Sequence, residues 1–502
     1  MRNFFVEPAV DIRSAQRPDR FTRQFLIFET GYEHLPAIPE NFKRHQGQRI
    51  TVAACPTQPV IPLIDAAGQA VGFVLGQPVE IAQARLLKDQ VTLDTLDGAG
   101  VDQAIEALYQ RLGGPFLIVL DGYGIARTYL DACGSMSLVY DPDTRIAAAT
   151  AGLLLDDEAY AVRFDHALYD HLNILRDGWF PAGLTAHAGI KRQLVNHCLD
   201  LGAFTQARHW PTGPIEMADD PAAAIGEICR TSRAIIGAFH AEGDLAFGLT
   251  AGNETRMLLA ICRDMAGELT FTTVDHPANA LDVVRAKEIA ARFGLRHSLL
   301  PVQFASERDA MQWHARSGHC IGGPNMRRHA TVLPLAEARA FVGGLGGEIG
   351  RGFFWRPGDG PDTEISADTI VARFGMPPSS EVHAAVEEWQ RSVTSFDPFL
   401  ALDLAYMELR MGCWAFAQAY TLPEVTNIHP LISRPAFTAM LSLPPEWRRE
   451  NRMPREAIAQ TWPDLLALPF NRYGDYRDTL NTVSLAIRQP HLVAKKARKM
   501  FA

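Results

Sequence analysis

Between residues 244 and 260 the chain changes its hydrophobic period. Leu245, Phe247 and Leu249 alternate with small residues, as a buried strand does, and Met257, Leu258 and Leu259 open a helical pattern. Thr250, Ala251, Gly252 and Asn253 separate the two. The pattern predicts a strand, a glycine-containing turn and a helix. Unpaired backbone N–H groups at such a helix start form a cradle for an anion. The turn also holds the hydroxyls of Thr250 and Thr255 and the carboxylate of Glu254. A carboxylate in an anion cradle calls for a divalent cation between it and phosphates. An ordinary strand–helix turn of an α/β domain would carry the same pattern.

Upstream, residues 1–190 consist of short apolar runs separated by turn signals, at 25–30, 50–55, 70–76 and 116–122. Two more strands flank the Asp141–Pro142–Asp143 turn. A helix over 101–114, expected to end on Gly113 and Gly114, interrupts them. The segment predicts a layered antiparallel β domain. Residues 191–220 are expected to be a connector, and 221–480 a second domain. There a helix over 222–243 leads into the strand at 245, followed by a strand over 269–275, a helix over 279–295 and a strand over 297–302. Strand and helix alternating at this spacing predict a doubly wound parallel sheet, with its ligand crevice at the carboxyl ends of the strands. Asp282 is expected to cap the second of these helices, with a place near the ligand as the alternative. Residues 400–420 are apolar on all sides and predict one buried helix. Residues 481–502 are expected to form a helical tail.

Composition narrows the function. A net charge of −9, with no basic run before the KKARK at 495–499, argues against a nucleic-acid surface. No run of about 18 apolar residues predicts a membrane span, and residues 1–13 lack the apolar segment of a signal peptide. Seven cysteines without CxxC spacing suit reduced thiols and a cytoplasmic location. His314 and His319 lie five apart, which is not the spacing of two metal ligands on one helix face. Between Lys191 and Lys495 the only lysine is Lys287.

LTAGNETR at 249–256 resembles the SGGxDS loop of the PP-loop ATP pyrophosphatases, in the version carried by asparagine synthetases. Thr250 stands for the first Ser, Ala251 and Gly252 for the glycines, Glu254 for the Asp and Thr255 for the last Ser. The glycine-rich stretch at 342–352 is similar to the family's second signature, SGEGxDExxGG: Gly344 and Gly346 fall on glycines and Glu348 on the Asp. The run LGGPFLIVLDG…TYLDACGSMSLVYD…RIAAAT resembles the family's N-terminal glutaminase domain.

The resemblance implies an Ntn-hydrolase-like antiparallel β domain followed by a PP-loop ATP pyrophosphatase domain with a helical C-terminal part. It implies ATP and Mg²⁺ as cofactors, with Glu254 and Glu348 on the metal. Leu249, Thr250, Ala251, Gly252, Asn253, Glu254, Thr255, Thr273 and Gly346 would lie at the nucleotide. The family places a lysine near 455–472 that neutralises charge on the transferred groups, and here only Arg452 and Arg455 are offered. Glu348, Arg452 and Arg455 are thus the candidate catalytic residues. The family's glutaminase nucleophile is a cysteine after the initiator methionine; Arg2 stands there and the first cysteine is Cys55, so no glutaminase is expected. The implied activity is an ATP-dependent amide-forming ligase, making an amide, β-lactam or macrolactam from an amine and a small-molecule or peptide carboxylate, with a homodimer allowed for. The rival is a non-catalytic homologue that binds a nucleotide or a partner protein.

Overall fold

Phe25 and Ile27 face one side of their strand, Leu26 and Phe28 the other, and all four are buried. A strand buried on both faces belongs inside a layered structure. The computed structural model describes residues 21–94, 100–176 and 178–479; position 2 and the tail over 481–502 lie outside the described residues. Strand Phe25–Glu29 sits in a six-stranded sheet ordered Lys191–Arg192, Val139–Asp141, Ile146–Ala148, Phe25–Glu29, Ile50–Ala54, Lys43–Gln46. All neighbouring strands of this sheet pair antiparallel. A seven-stranded sheet runs Thr205–Arg208, His197–Asp200, Ile125–Leu130, Phe116–Gly122, Ala70–Gly76, Val60–Ile64, Val91–Thr92, antiparallel except for the last pair.

Phe25, Ile27, Val52, Leu117 and Val119 form part of one core between the sheets. Leu26 and Phe28 pack outward with Leu153 and Tyr160, while Ile118 and Leu120 pack outward with Ile105 and Leu108 of helix Val101–Arg111. The result is four layers: helix, sheet, sheet, helix. Strands within 191–208 complete both sheets, so much of the segment expected as a connector is sheet. The helix expected to reach Gly113 stops at Arg111, because Leu112 and Gly113 turn extended to pair with Glu80 and Val79.

Helix Pro221–His240 starts on the Asp220 side chain, which accepts from the N–H groups of Ala222 and Ala223. It leads into a five-stranded parallel sheet ordered Arg296–Pro301, Thr270–Asp275, Leu245–Gly248, Ala340–Val342, Asn427–Ile428. The chain winds from the middle strand out to one edge, then returns to the other side. Strand order therefore reverses between Leu245–Gly248 and Ala340–Val342, and a crevice opens at their carboxyl ends.

The single helix expected over 400–420 is broken. Pro398–Leu404 is α-helical, Ala405–Arg410 is wound more widely, and a regular turn resumes at Ala417–Thr421. The widened stretch turns Glu408 inward, where it pairs with Arg208 at 2.6 Å and accepts from Asn196 (2.9 Å) and the Trp389 indole (2.5 Å). This ion pair joins the antiparallel half to the helical half, and one continuous core runs beneath both.

Candidate active site

Both loops that leave the switch point carry a glutamate. On the first, the Leu249 N–H extends the sheet by donating to the Thr272 carbonyl (2.9 Å). The buried Thr273 hydroxyl donates to the Leu249 carbonyl (2.6 Å), and His297 Nε2 lies 2.9 Å from the Thr273 hydroxyl. The Thr250 and Thr255 hydroxyls are 2.8 Å apart, and the Gly252 N–H donates to Thr250 Oγ1 at 3.0 Å. Helix Asn253–Ile261 then starts from Gly252 with no side chain capping it. Its first-turn N–H groups are thereby left for an anion.

Asp282 does not cap its own helix, which starts at Asn279; its carboxylate accepts from the Ala251 N–H at 2.8 Å. The helix-cap expectation is corrected on that contact. A carboxylate in this place fixes the turn, and it takes one N–H of the cradle.

The second loop closes tightly over the first. A Cβ on Gly347 would lie 2.6 Å from Glu254 Cγ, and one on Gly344 would lie 3.0 Å from Glu254 Cβ. Only glycine lets the two loops come this close. Gly346 adopts φ +100°, and its N–H donates to Glu348 Oε2 at 3.1 Å. Arg351 lies near both glutamates: Nε is 3.5 Å from Glu254 Oε1 and a terminal nitrogen is 3.9 Å from Glu348 Oε1. Burial pushes the Glu348 carboxyl above the usual glutamate range and the charge on Glu254 adds to this, opposed by backbone N–H groups and Arg351. The structure therefore brings Glu254 and Glu348 together.

No third His, Cys, Asp or Glu completes a metal cluster among the described residues. Mg²⁺ commonly takes one or two carboxylates together with substrate phosphates, so the pair fits that ion.

The two candidate arginines separate. Arg452 bonds to Glu450 (2.6 Å), stands 5.4 Å from the Trp447 ring and is half exposed. Arg455 is carried to the loop's helix and lies 5.0 Å from the Phe470 ring, which also has Arg256 at 3.9 Å. Arg256 is fully buried and donates to the carbonyls of Ala251 (3.1 Å), Leu468 (2.9 Å) and Pro469. Burial lowers its guanidinium to about 10, and the charges of Arg285 and Arg455 add to this. The Asn471 N–H donates to the Ala251 carbonyl at 2.9 Å, and Arg285 donates to the carbonyls of Arg472 (3.1 Å) and Tyr473 (2.8 Å). Residues 468–473 thus form a strap tied to the loop.

Arg351 and Arg256 do not emerge from sequence reasoning, whereas for Asp282 it offers a place near the ligand beside the cap. The available signal was position: Arg256 directly follows Thr255, and Arg351 lies three residues beyond Glu348.

No family model matches the chain, and no curated protein sequence does. Among solved structures, the chain is similar to an NH3-dependent NAD synthetase from Campylobacter jejuni, at 10% identity and a TM-score of 0.20, covering 40% of this chain and 96% of that one. It is also similar to NMN synthetase from Francisella tularensis, at 11% identity and a TM-score of 0.17, covering 48% of this chain and 97% of that one. Scores this low carry no argument about function; the protein is a mixed α/β chain with two mainly antiparallel sheets, a parallel sheet and a switch-point crevice.

Proposed function

We propose that the protein is an ATP-dependent amide-forming ligase similar to asparagine synthetases, without glutaminase activity of its own. The observation that carries this reading is the convergence of Glu254 and Glu348 across two glycine-containing loops at the switch point of a parallel sheet. Glu254 and Glu348 would hold Mg²⁺, which supplies charge neutralisation at the phosphates when bound. The start of helix Asn253–Ile261, with the Thr250 and Thr255 hydroxyls, receives the phosphate chain, and Leu249 and Thr273, bonded to each other, would lie at the nucleotide. A substrate carboxylate oxygen bonds to the α-phosphorus of ATP, the bond to the bridging oxygen breaks, and pyrophosphate leaves. An amine then adds to the acyl carbon and AMP departs, the amine giving up a proton.

The helix–sheet–sheet–helix layers of the first half suit a glutaminase-like scaffold. All seven cysteines are buried, so no exposed thiol is available among the described residues. No helix among them is long and apolar enough to cross a membrane. A cytoplasmic location, a partnership with no nucleic acid or membrane, and a homodimer stay with the proposal.

One observation favours the rival, a nucleotide-binding protein without catalysis: Arg452 is engaged by Glu450 and Arg455 lies at Phe470. The two readings part in one experiment. Calorimetry with MgATP, followed by a pyrophosphate-release screen over carboxylates with hydroxylamine as the trapping amine, is expected to show binding and carboxylate-dependent release. Binding without release from any carboxylate supports the rival, and no binding at all removes both.

A further inference from the structure

Two carboxylates facing each other in a half-buried crevice need a counter-charge, and Arg351 is the cation that faces both. Its grip is loose. At 3.5 and 3.9 Å neither contact is a hydrogen bond of ordinary length, and Arg351 Nε is shielded from water with no hydrogen-bond partner. The buried pair of Arg208 and Glu408 behaves differently, closing with two bonds of 2.6 and 2.7 Å. Beyond the glutamates, Arg351 lies 5.3 Å from the ring of Phe353, which is 38% exposed and has Arg410 at 4.8 Å. A guanidinium held by charge and a ring, without aligned bonds, can turn. Two carboxylates against one guanidinium also leave a unit of negative charge, which a divalent ion would neutralise.

We propose that Arg351 is the resident counter-ion of the Glu254–Glu348 pair, that a divalent cation entering with the nucleotide displaces it, and that the freed guanidinium then closes on the phosphates. This rests on the nucleotide-site reading above. It gives Arg351 the charge that neither Arg452 nor Arg455 is placed to bring to the glutamates. The exchange moves ions only; no bond is made or broken.

The test uses Mn²⁺ as the probe, followed by electron paramagnetic resonance on the full chain, with and without ATP, in wild type, Arg351→Met and Arg351→Lys. Removing the competing charge is expected to tighten Mn²⁺ binding without nucleotide about tenfold in Arg351→Met. In the presence of Mn²⁺, the same variant is expected to bind ATP about tenfold more weakly. Arg351→Lys, which keeps the charge, is expected to resemble wild type in the first measurement, and thermal melts verify that each variant folds. These opposite shifts distinguish exchange from a fixed structural pair. Equal Mn²⁺ affinity in wild type and Arg351→Met, both still binding Mn²⁺ with ATP, overturns the exchange and leaves the site standing. Unchanged ATP affinity overturns the closing step. Absence of Mn²⁺ binding in every protein, with or without ATP, overturns the metal-site reading itself.

Discussion

Glu254 and Glu348 differ from most acidic residues of the chain in having each other's charge to contend with. Replacing either by Gln keeps its volume and removes one negative charge, so the folded state loses a repulsion and the proposed metal would lose a ligand. Glu254→Gln and Glu348→Gln are therefore each expected to lower Mg²⁺-dependent ATP affinity at least tenfold, equivalent to about 1.4 kcal/mol, with the melting temperature unchanged or higher. Calorimetry with and without Mg²⁺ decides it; wild-type affinity in both variants would show that the pair holds no metal. His314 makes a second prediction at this scale. Its Nδ1–H donates to the Ile321 carbonyl at 2.6 Å, which leaves Nε2 to accept from the Tyr169 hydroxyl, also at 2.6 Å. Burial holds the imidazole down at about 4, whereas in the unfolded chain it titrates near 6.5. Between those values the unfolded chain binds a proton that the folded chain refuses. Stability is thus expected to fall as pH drops from about 6.5 to about 4 and then to level off, by about 3 kcal/mol from this group. Denaturant titrations at pH 7 and pH 4.5 should show a smaller loss in His314→Gln than in wild type; equal losses would remove His314 as the cause.

At the scale of elements, the contact between the two loops decides whether the site forms. Gly347→Ala places a methyl 2.6 Å from Glu254 Cγ, so Glu254 must swing or the loops must part. The expected cost is about 1–3 kcal/mol of stability, with ATP affinity reduced as far as in Glu254→Gln. A variant that binds ATP normally would show that the loops separate without consequence. The strand–turn–helix at 245–261 was legible in the sequence because its hydrophobic period changes within a few residues, and the parallel sheet followed from spacing alone. The partners of that turn were not legible. Arg351 and Asn471 reach it from separate segments, and their roles depend on strand order, which local pattern does not encode. Residues 400–420 misled for another reason. Apolar residues all round suggested an uninterrupted helix, whereas the buried Glu408 and its partners from the other half of the chain set the winding there.

For the whole molecule, that same Glu408 is the charge on which the two halves meet. Burial pushes its carboxyl up, but the charge of Arg208, with His197 and the hydrogen bonds from Arg208 and Trp389 adding to it, brings it below the usual glutamate range. Arg208→Met leaves the carboxylate without its main partner and is expected to cost about 3–5 kcal/mol. Adding Glu408→Leu to it should recover part of that loss, because an apolar pair needs no counter-charge, while the Asn196 amide and the Trp389 indole lose their acceptor. Melting temperatures of the single and double variants measure both effects, and a double variant no more stable than Arg208→Met would show that the pair contributes more than charge balance. The strap over 468–473 has a consequence of another kind, in time. Arg256, in the helix that opens the anion cradle, takes one of its carbonyl partners from a residue 212 positions later in the chain. At about 5–20 residues per second, a ribosome needs about ten to forty seconds to deliver that partner. Throughout that interval the nascent chain carries a guanidinium destined for burial whose acceptors at Leu468 and Pro469 have not yet been made, so the cradle is finished only once the strap has been synthesised.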